Sequence, residues 1–213
     1  PVPLTPKARL VLFVLIALAA VACVVSLMAI PPDERLGAMV RFVMFHGAST
    51  WVNMGTFTLA GVLGLAFVFG AGKLGRWGEA FRWLSLPLWA VNTVLGILSM
   101  KLIWGGILWD EPRLLMTFGL LAGSVVILAV QLIFDHPKVP AVLDAVLAAA
   151  LWFLVLVLPN LFHPDSPVFN SDNAVYIYAF FGMVGSIAVA ALAIVTVVAR
   201  RRHPEHPHRH ALP

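Results

Sequence analysis

The chain has 213 residues, 61% of them hydrophobic and 11% charged, with a formal net charge of +4 and a mean hydropathy of +0.96. Soluble domains carry roughly 25% charged residues, so this composition excludes a soluble globular enzyme and predicts an all-α integral membrane protein. The single cysteine, Cys23, excludes an intrachain disulfide framework and any CxxCH attachment motif.

A helix crossing the hydrocarbon core needs about 20 apolar residues. Six segments satisfy this: 10–30, 42–71, 84–103, 114–134, 141–160 and 175–199. The first follows Lys7 and Arg9, as the core of a signal peptide would. Its apolar run from Leu10 to Ile30 is too long for that role and lacks a small-residue cleavage site, so a retained helix is expected. The second exceeds the length a crossing requires, which predicts either tilt or first turns standing above the bilayer. Polar stretches separate the spans: Pro31–Arg35, Lys73–Glu79, Trp109–Arg113, Asp135–Lys138 and His163–Asp165. Gly61/Gly64, Gly119/Gly123 and Gly182/Ser186 read as sites of close helix packing.

The expected organisation is one six-helix membrane domain over 1–200, followed by a tail over 201–213. At that boundary Arg200, Arg201 and Arg202 read as a stop-transfer anchor. His203, His206, His208 and His210 are interrupted by prolines, which favours a disordered cytoplasmic segment over a metal site. With a cytoplasmic N-terminus, ten Lys and Arg residues fall on the inner side (Lys7, Arg9, Lys73, Arg76, Arg82, Lys138, Arg200, Arg201, Arg202, Arg209). Four fall outside: Arg35, Arg41, Lys101 and Arg113. By the positive-inside rule both termini are then cytoplasmic, in the inner membrane of a prokaryote. The basic residues gather in the loops of one side, and no basic stripe interleaves with aromatics, so no nucleic-acid partner is expected.

On this topology His46 and His163 both stand on the outer face. His46 lies in Arg41-Phe-Val-Met-Phe-His46-Gly-Ala-Ser-Thr-Trp51 at the start of the second span, and Gly47-Ala48-Ser49 is expected to leave space beside it. His163 lies in Pro159-Asn160-Leu-Phe-His163-Pro164 at the end of the fifth. Taken singly, each reads equally well or better as an interfacial or loop histidine. Taken together, two imidazoles over apolar walls are a ligand set for the iron of haem b. The third outer element is Trp104-Gly-Gly-Ile-Leu-Trp109-Asp-Glu-Pro-Arg113-Leu-Leu-Met-Thr117. Its tryptophans, with Trp51, form either an interfacial belt or a stacking surface for a flat ligand, and on the residues alone the two weigh equally. Gly105 and Gly106 would admit such a ligand close to the backbone, and Arg113 or Arg41 would pair with its carboxylates.

These motifs resemble a known family. Arg41-Phe-Val-Met-Phe-His46-Gly-Ala-Ser-Thr-Trp51 is similar to the first-histidine motif, R-I-M-x-x-H-x-P-S-A-W, of the haem-handling membrane proteins of cytochrome c maturation (CcmC/CcsA type). Pro159-Asn160-Leu-Phe-His163 resembles their second-histidine motif, N-T-L-H. Trp104-Gly105 and Arg113-Leu114 match the frame of their tryptophan-rich (WWD-like) signature, WGxxWxWDxRLT, with Glu111-Pro112 in place of its Asp-x and Thr117 two residues beyond its end. Leu108 and Asp110 stand where that signature has tryptophans, and Ala48 replaces a proline.

The resemblance spans about 10–200 and implies a cytochrome c biogenesis protein rather than a conventional enzyme. Haem b would be held at the outer face by His46 and His163. Trp51, Trp104 and Trp109 would line it, and a haem chaperone or apocytochrome c would receive it beside other maturation subunits. Two rivals remain: a b-type cytochrome electron-transfer subunit, and a haem-free structural subunit of a membrane complex. Electron transfer across the bilayer usually needs a second redox site near the inner face, where His136 is the one histidine at a helix end.

Overall fold

The computed structural model describes residues 4–134, 136–159, 168–169 and 172–201. These form six α-helices: α1 (Pro6–Ala29), α2 (Val40–Val68), α3 (Gly75–Trp104), α4 (Pro112–Ile133), α5 (Lys138–Val157) and α6 (Ala174–Arg201). Each is long and apolar enough to cross a membrane, and the chain is a multi-pass membrane protein.

Helix boundaries follow local chemistry. Thr5 caps α1, its Oγ1 accepting from the Ala8 amide at 3.2 Å, with Pro6 in the first turn. Gly105 ends α3 with φ of +72°, a left-handed conformation that side chains with a Cβ resist. Its part is therefore to stop the helix. The stretch Lys73–Glu79, expected as a loop, is instead mostly helical: a 3-10 turn (Gly72–Leu74) runs into α3, which begins at Gly75 rather than 84. Two polar residues of that extension, Glu79 and Arg82, are held by partners on other helices. Glu79 Oε1 accepts from Gln131 Nε2 at 2.7 Å. The chain can therefore keep its helical geometry through this polar stretch.

α2 is the central helix, packed against α3, α5 and α6; α1 lies on α6, and α4 lies against α5 and α3. The α2–α5 seam explains two of the glycines. A Cβ on Gly61 would stand 2.9 Å from the Ala148 Cβ, and one on Gly64 would stand 2.8 Å from the Ala141 carbonyl oxygen. Backbones approach this closely only where side chains are missing. Gly182 faces Ser26 of α1 in the same way, whereas Gly119 meets nothing within 4 Å. The outward surfaces are apolar: Phe13, Leu132 and Leu156 are 70%, 76% and 80% exposed, as side chains facing lipid should be.

The linker between α1 and α2 folds onto the bundle. Asp33 Oδ1 accepts from the amides of Arg35 and Leu36 at 2.8 and 2.9 Å, and the Asp33–Gly37 backbone pair closes the turn. Ile30 and Val40, at its two ends, are fully buried in a cluster with Met44, Ala179 and Met183.

Gly61→Ala is expected to destabilise the fold by about 1–3 kcal/mol through overpacking. Gly119→Ala, in open space, should be neutral or stabilise by roughly 0.5–1 kcal/mol through helix propensity. Denaturant unfolding of the two variants in detergent would measure both.

Candidate functional site

At the end of the bundle where α2, α4 and α6 begin and α3 and α5 finish lies a cavity of about 790 Å3. That volume falls in the range of about 300–1,000 Å3 typical of small-molecule and cofactor pockets. The walls are mostly apolar, with Met44, Met54, Trp89, Met100, Met116 and Phe180 among them. His46, Thr50, Asn92, Glu111 and Arg113 supply the polar groups discussed below.

His46 is half-buried in the wall, carried on the second turn of α2. Directly across from its ring is Gly96 of α3. A Cβ on Gly96 would lie 3.3 Å from the His46 Cε1 and 3.5 Å from its Nε2. The room that the imidazole itself occupies therefore comes from Gly96 of α3; Gly47, expected to leave space beside the ring, faces Phe180 instead, at 3.5 Å from an added Cβ. The turn of α2 that carries His46 is tied to α3 by side chains. Thr50 Oγ1 donates to the His46 carbonyl at 2.9 Å and accepts from Asn92 Nδ2 at 3.0 Å. Asn92 is buried. Such a bond inside a bundle fixes the register of the two helices around the ring.

α4 enters the cavity through its N-terminus. Glu111 is its N-cap: Oε2 accepts from the Leu114 amide at 2.6 Å, and Pro112 occupies the first turn. The residue is fully buried (0% exposed), and its second oxygen, Oε1, has no hydrogen-bond partner. Arg113 lines the same cavity, and its Nε is likewise buried without a partner. Trp89 Nε1 donates to the Thr117 carbonyl at 3.0 Å, fastening α3 to the first turns of α4. An unbonded buried carboxylate oxygen costs on the order of 1–3 kcal/mol or more, so a donor bonded to Oε1 would stabilise this end of α4.

The other expected residues are placed as follows. Trp51 and Trp104 both line the cavity while remaining 48% exposed. The Trp51 ring packs edge-on against Phe180 at 5.6 Å and stacks with Phe169 at 6.0 Å. Trp109 is not part of the wall; it is 60% exposed and stacks on Phe118 at 6.5 Å. Arg41 also stands outside the wall, its Nε donating to the Ile30 carbonyl at 2.8 Å, where it fastens the α1–α2 linker. His163 and Asn160 lie outside the described residues. Among the described residues no group of three or more His, Cys, Asp or Glu side chains gathers as a metal site. Those residues include two histidines, His46 and His136, which lie at opposite ends of the bundle.

A second buried polar group lies at the other end. Arg82 of α3 bonds Asp144 of α5 through Nε at 2.8 Å and Nη2 at 2.6 Å, and both residues are buried. Arg82 Nη1 donates to Gln131 Oε1 of α4 at 2.8 Å, and Gln131 Nε2 passes the chain on to Glu79. Arg82 is therefore an interior residue rather than the loop cation that the charge count assumed. Asp144, a lone acid within an apolar span, is the signal that could have found its partner. Removing one member strands the other, so Asp144→Ala should destabilise the fold by about 3–5 kcal/mol. The Arg82→Met/Asp144→Leu double variant should recover part of that loss. Unfolding in detergent as a double-mutant cycle tests both, and equal losses in the single and double variants would refute the coupling.

No protein-family model matches the chain and no curated protein matches it.

Proposed function

We propose that this protein binds haem b in the cavity at the His46 end and hands it to a partner in cytochrome c maturation. The observation that carries the reading is an imidazole in the wall of a large apolar cavity, its ring seated against Gly96 where a side chain would crowd it. Volume, wall chemistry and available polar groups all suit a flat apolar macrocycle with charged substituents. His46 would hold the iron from α2, and His163, in the segment joining α5 to α6, would supply the second imidazole. The bound haem supplies a metal centre that accepts two neutral imidazoles. The protein's own residues position it: the Thr50–Asn92 bond holds the His46 turn, Trp51 and Trp104 offer aromatic faces, and Arg113 offers a guanidinium for a carboxylate.

The same reading puts both termini in the cytoplasm and the cavity on the extracytoplasmic side of a prokaryotic inner membrane, following the bias of Lys and Arg. Haem there would be open to a haem chaperone or apocytochrome c, and to other membrane subunits of the maturation system. Trp109, exposed on the outer side of the loop between α3 and α4, is available to such a partner while the cavity is filled. Transmembrane electron transfer is less well supported. The histidine at the far end, His136, is exposed next to the start of α5, and the buried group at that end is an ion-pair network with no histidine in it.

The test is a reduced-minus-oxidised absorption spectrum of the wild type, His46→Ala and His163→Ala, each reconstituted with haem. The wild type should show a bis-histidine b-type spectrum, and each variant should lose most of its bound haem while inserting normally. A colourless wild type would leave only the structural-subunit reading. A wild type reduced rapidly by a quinol, with no transfer to an acceptor, would favour the electron-transfer reading.

A further inference from the structure

Glu111 and Arg113 are two residues apart in the N-terminal turn of α4, and both line the cavity. Each has a buried polar atom with no partner, and they do not bond one another: the ion pair found among the described residues is Arg82–Asp144. The two orphaned atoms are of opposite kind. Glu111 Oε1 is an acceptor held fixed because the other oxygen of the same carboxyl caps α4. Arg113 Nε is a donor. A ligand that satisfies both must present a donor as well as an acceptor. Simple dicarboxylate binding would instead call for two cations, and it would set a second negative charge against Glu111 in an apolar wall.

We infer that the N-terminus of α4 is the carboxyl-binding end of the cavity, and that it takes the two side-chain carboxyls of a porphyrin in different states. One is ionised on Arg113, and the other is a neutral acid donating its proton to Glu111 Oε1. The inference rests on the haem reading above and adds a protonation state to it. Two carboxyls in hydrogen-bond contact in a poorly solvated site cannot both hold a charge and so share one proton. Summed charge favours the same arrangement. A ferric porphyrin core carries one positive charge, and Arg113 supplies another. Glu111 and a single ionised carboxylate balance them, so the filled site is neutral with uncharged imidazoles. Burying a second carboxylate would leave an unpaired charge, which apolar surroundings penalise heavily.

The experiment compares wild type, Glu111→Gln and Glu111→Ala, each reconstituted with ferric haem labelled with carbon-13 in its propionate carboxyls. Bound-minus-free infrared difference spectra should show the carbonyl stretch of a protonated carboxylic acid, shifted by the isotope, in the wild type. Glu111→Gln keeps a carbonyl oxygen for the α4 cap but offers an amide N–H to the ligand. It should retain haem and lose that band. Glu111→Ala should weaken binding roughly tenfold, equivalent to about 1.4 kcal/mol, while haem dimethyl ester should bind the wild type and Glu111→Ala alike.

An isotope-shifted acid band that is missing from the wild-type complex, or that persists in Glu111→Gln, overturns the inference while leaving haem binding intact. So does haem affinity unchanged in Glu111→Ala, which would mean water meets the needs of Oε1. Failure of every form to take up haem would overturn the functional reading, and this inference with it.

Discussion

In hydrocarbon an apolar side chain gains nothing by leaving lipid for protein, so helices must be held together by close packing and by polar bonds that lipid cannot supply. The Arg82–Asp144 pair is the buried ion pair among the described residues. It joins α3 to α5 directly and reaches α4 through Gln131. Three of the six helices are thereby given one mutual register, at the end of the bundle away from the cavity. The Gly61 and Gly64 seam then brings α2 against α5, so the central helix is located by contact with a helix that the ion pair has already fixed. Where His46 stands relative to Gly96 follows from these constraints, with the Thr50–Asn92 bond as the last adjustment.

Much of this fold was legible in the chain because the bilayer imposes a simple length rule. Six apolar runs became six helices, and Gly61 and Gly64 packed as small residues in spans should. The start of α3 was not legible from hydropathy. Arg76, Glu79 and Arg82 lower the apolar average over the first turns, and hydropathy cannot tell an arginine in water from one satisfied by an aspartate on another helix. Asp144 was visible as an anomaly, but pairing it with Arg82 requires two helices to be placed together.

The candidate site was legible to a different degree. His46, Trp51, Trp104 and Arg113 come together in one wall because a motif at the start of α2 and a motif spanning α3–α4 converge at the same end of the bundle. Arg41 and Trp109 belong to the same motifs but point elsewhere, one onto the Ile30 carbonyl and the other onto Phe118. Sequence proximity to a ligand-like residue does not fix the direction of a side chain. Gly96 carried no signal as a site residue, and Glu111 stood in the tryptophan-rich motif only as a replacement for its aspartate. A glycine in a span reads as packing and a glutamate before a proline reads as a cap, and Glu111 does serve as a cap. The assignment changes only because one carboxyl oxygen is left over.

The two ends of the bundle differ in a way that bears on ligand exchange. The end with the termini is closed by glycine–alanine contacts and a network whose charges are bonded across three helices. The other end holds the cavity, a helix stopped at Gly105, and a buried carboxyl with one oxygen unused. Stability is not uniform across a fold, and the parts that move are drawn from its less tightly bonded regions. A ligand entering or leaving the cavity disturbs α4 at its capped N-terminus, the Trp89–Thr117 bond and the aromatic contacts of Trp51, without breaking the Arg82–Asp144 register. Trp89 and Leu151, the lining residues nearest to that pair on α3 and α5, stand seven residues from Arg82 and Asp144, roughly 10 Å along each helix, so the fastening lies below the cavity and takes no part in its wall.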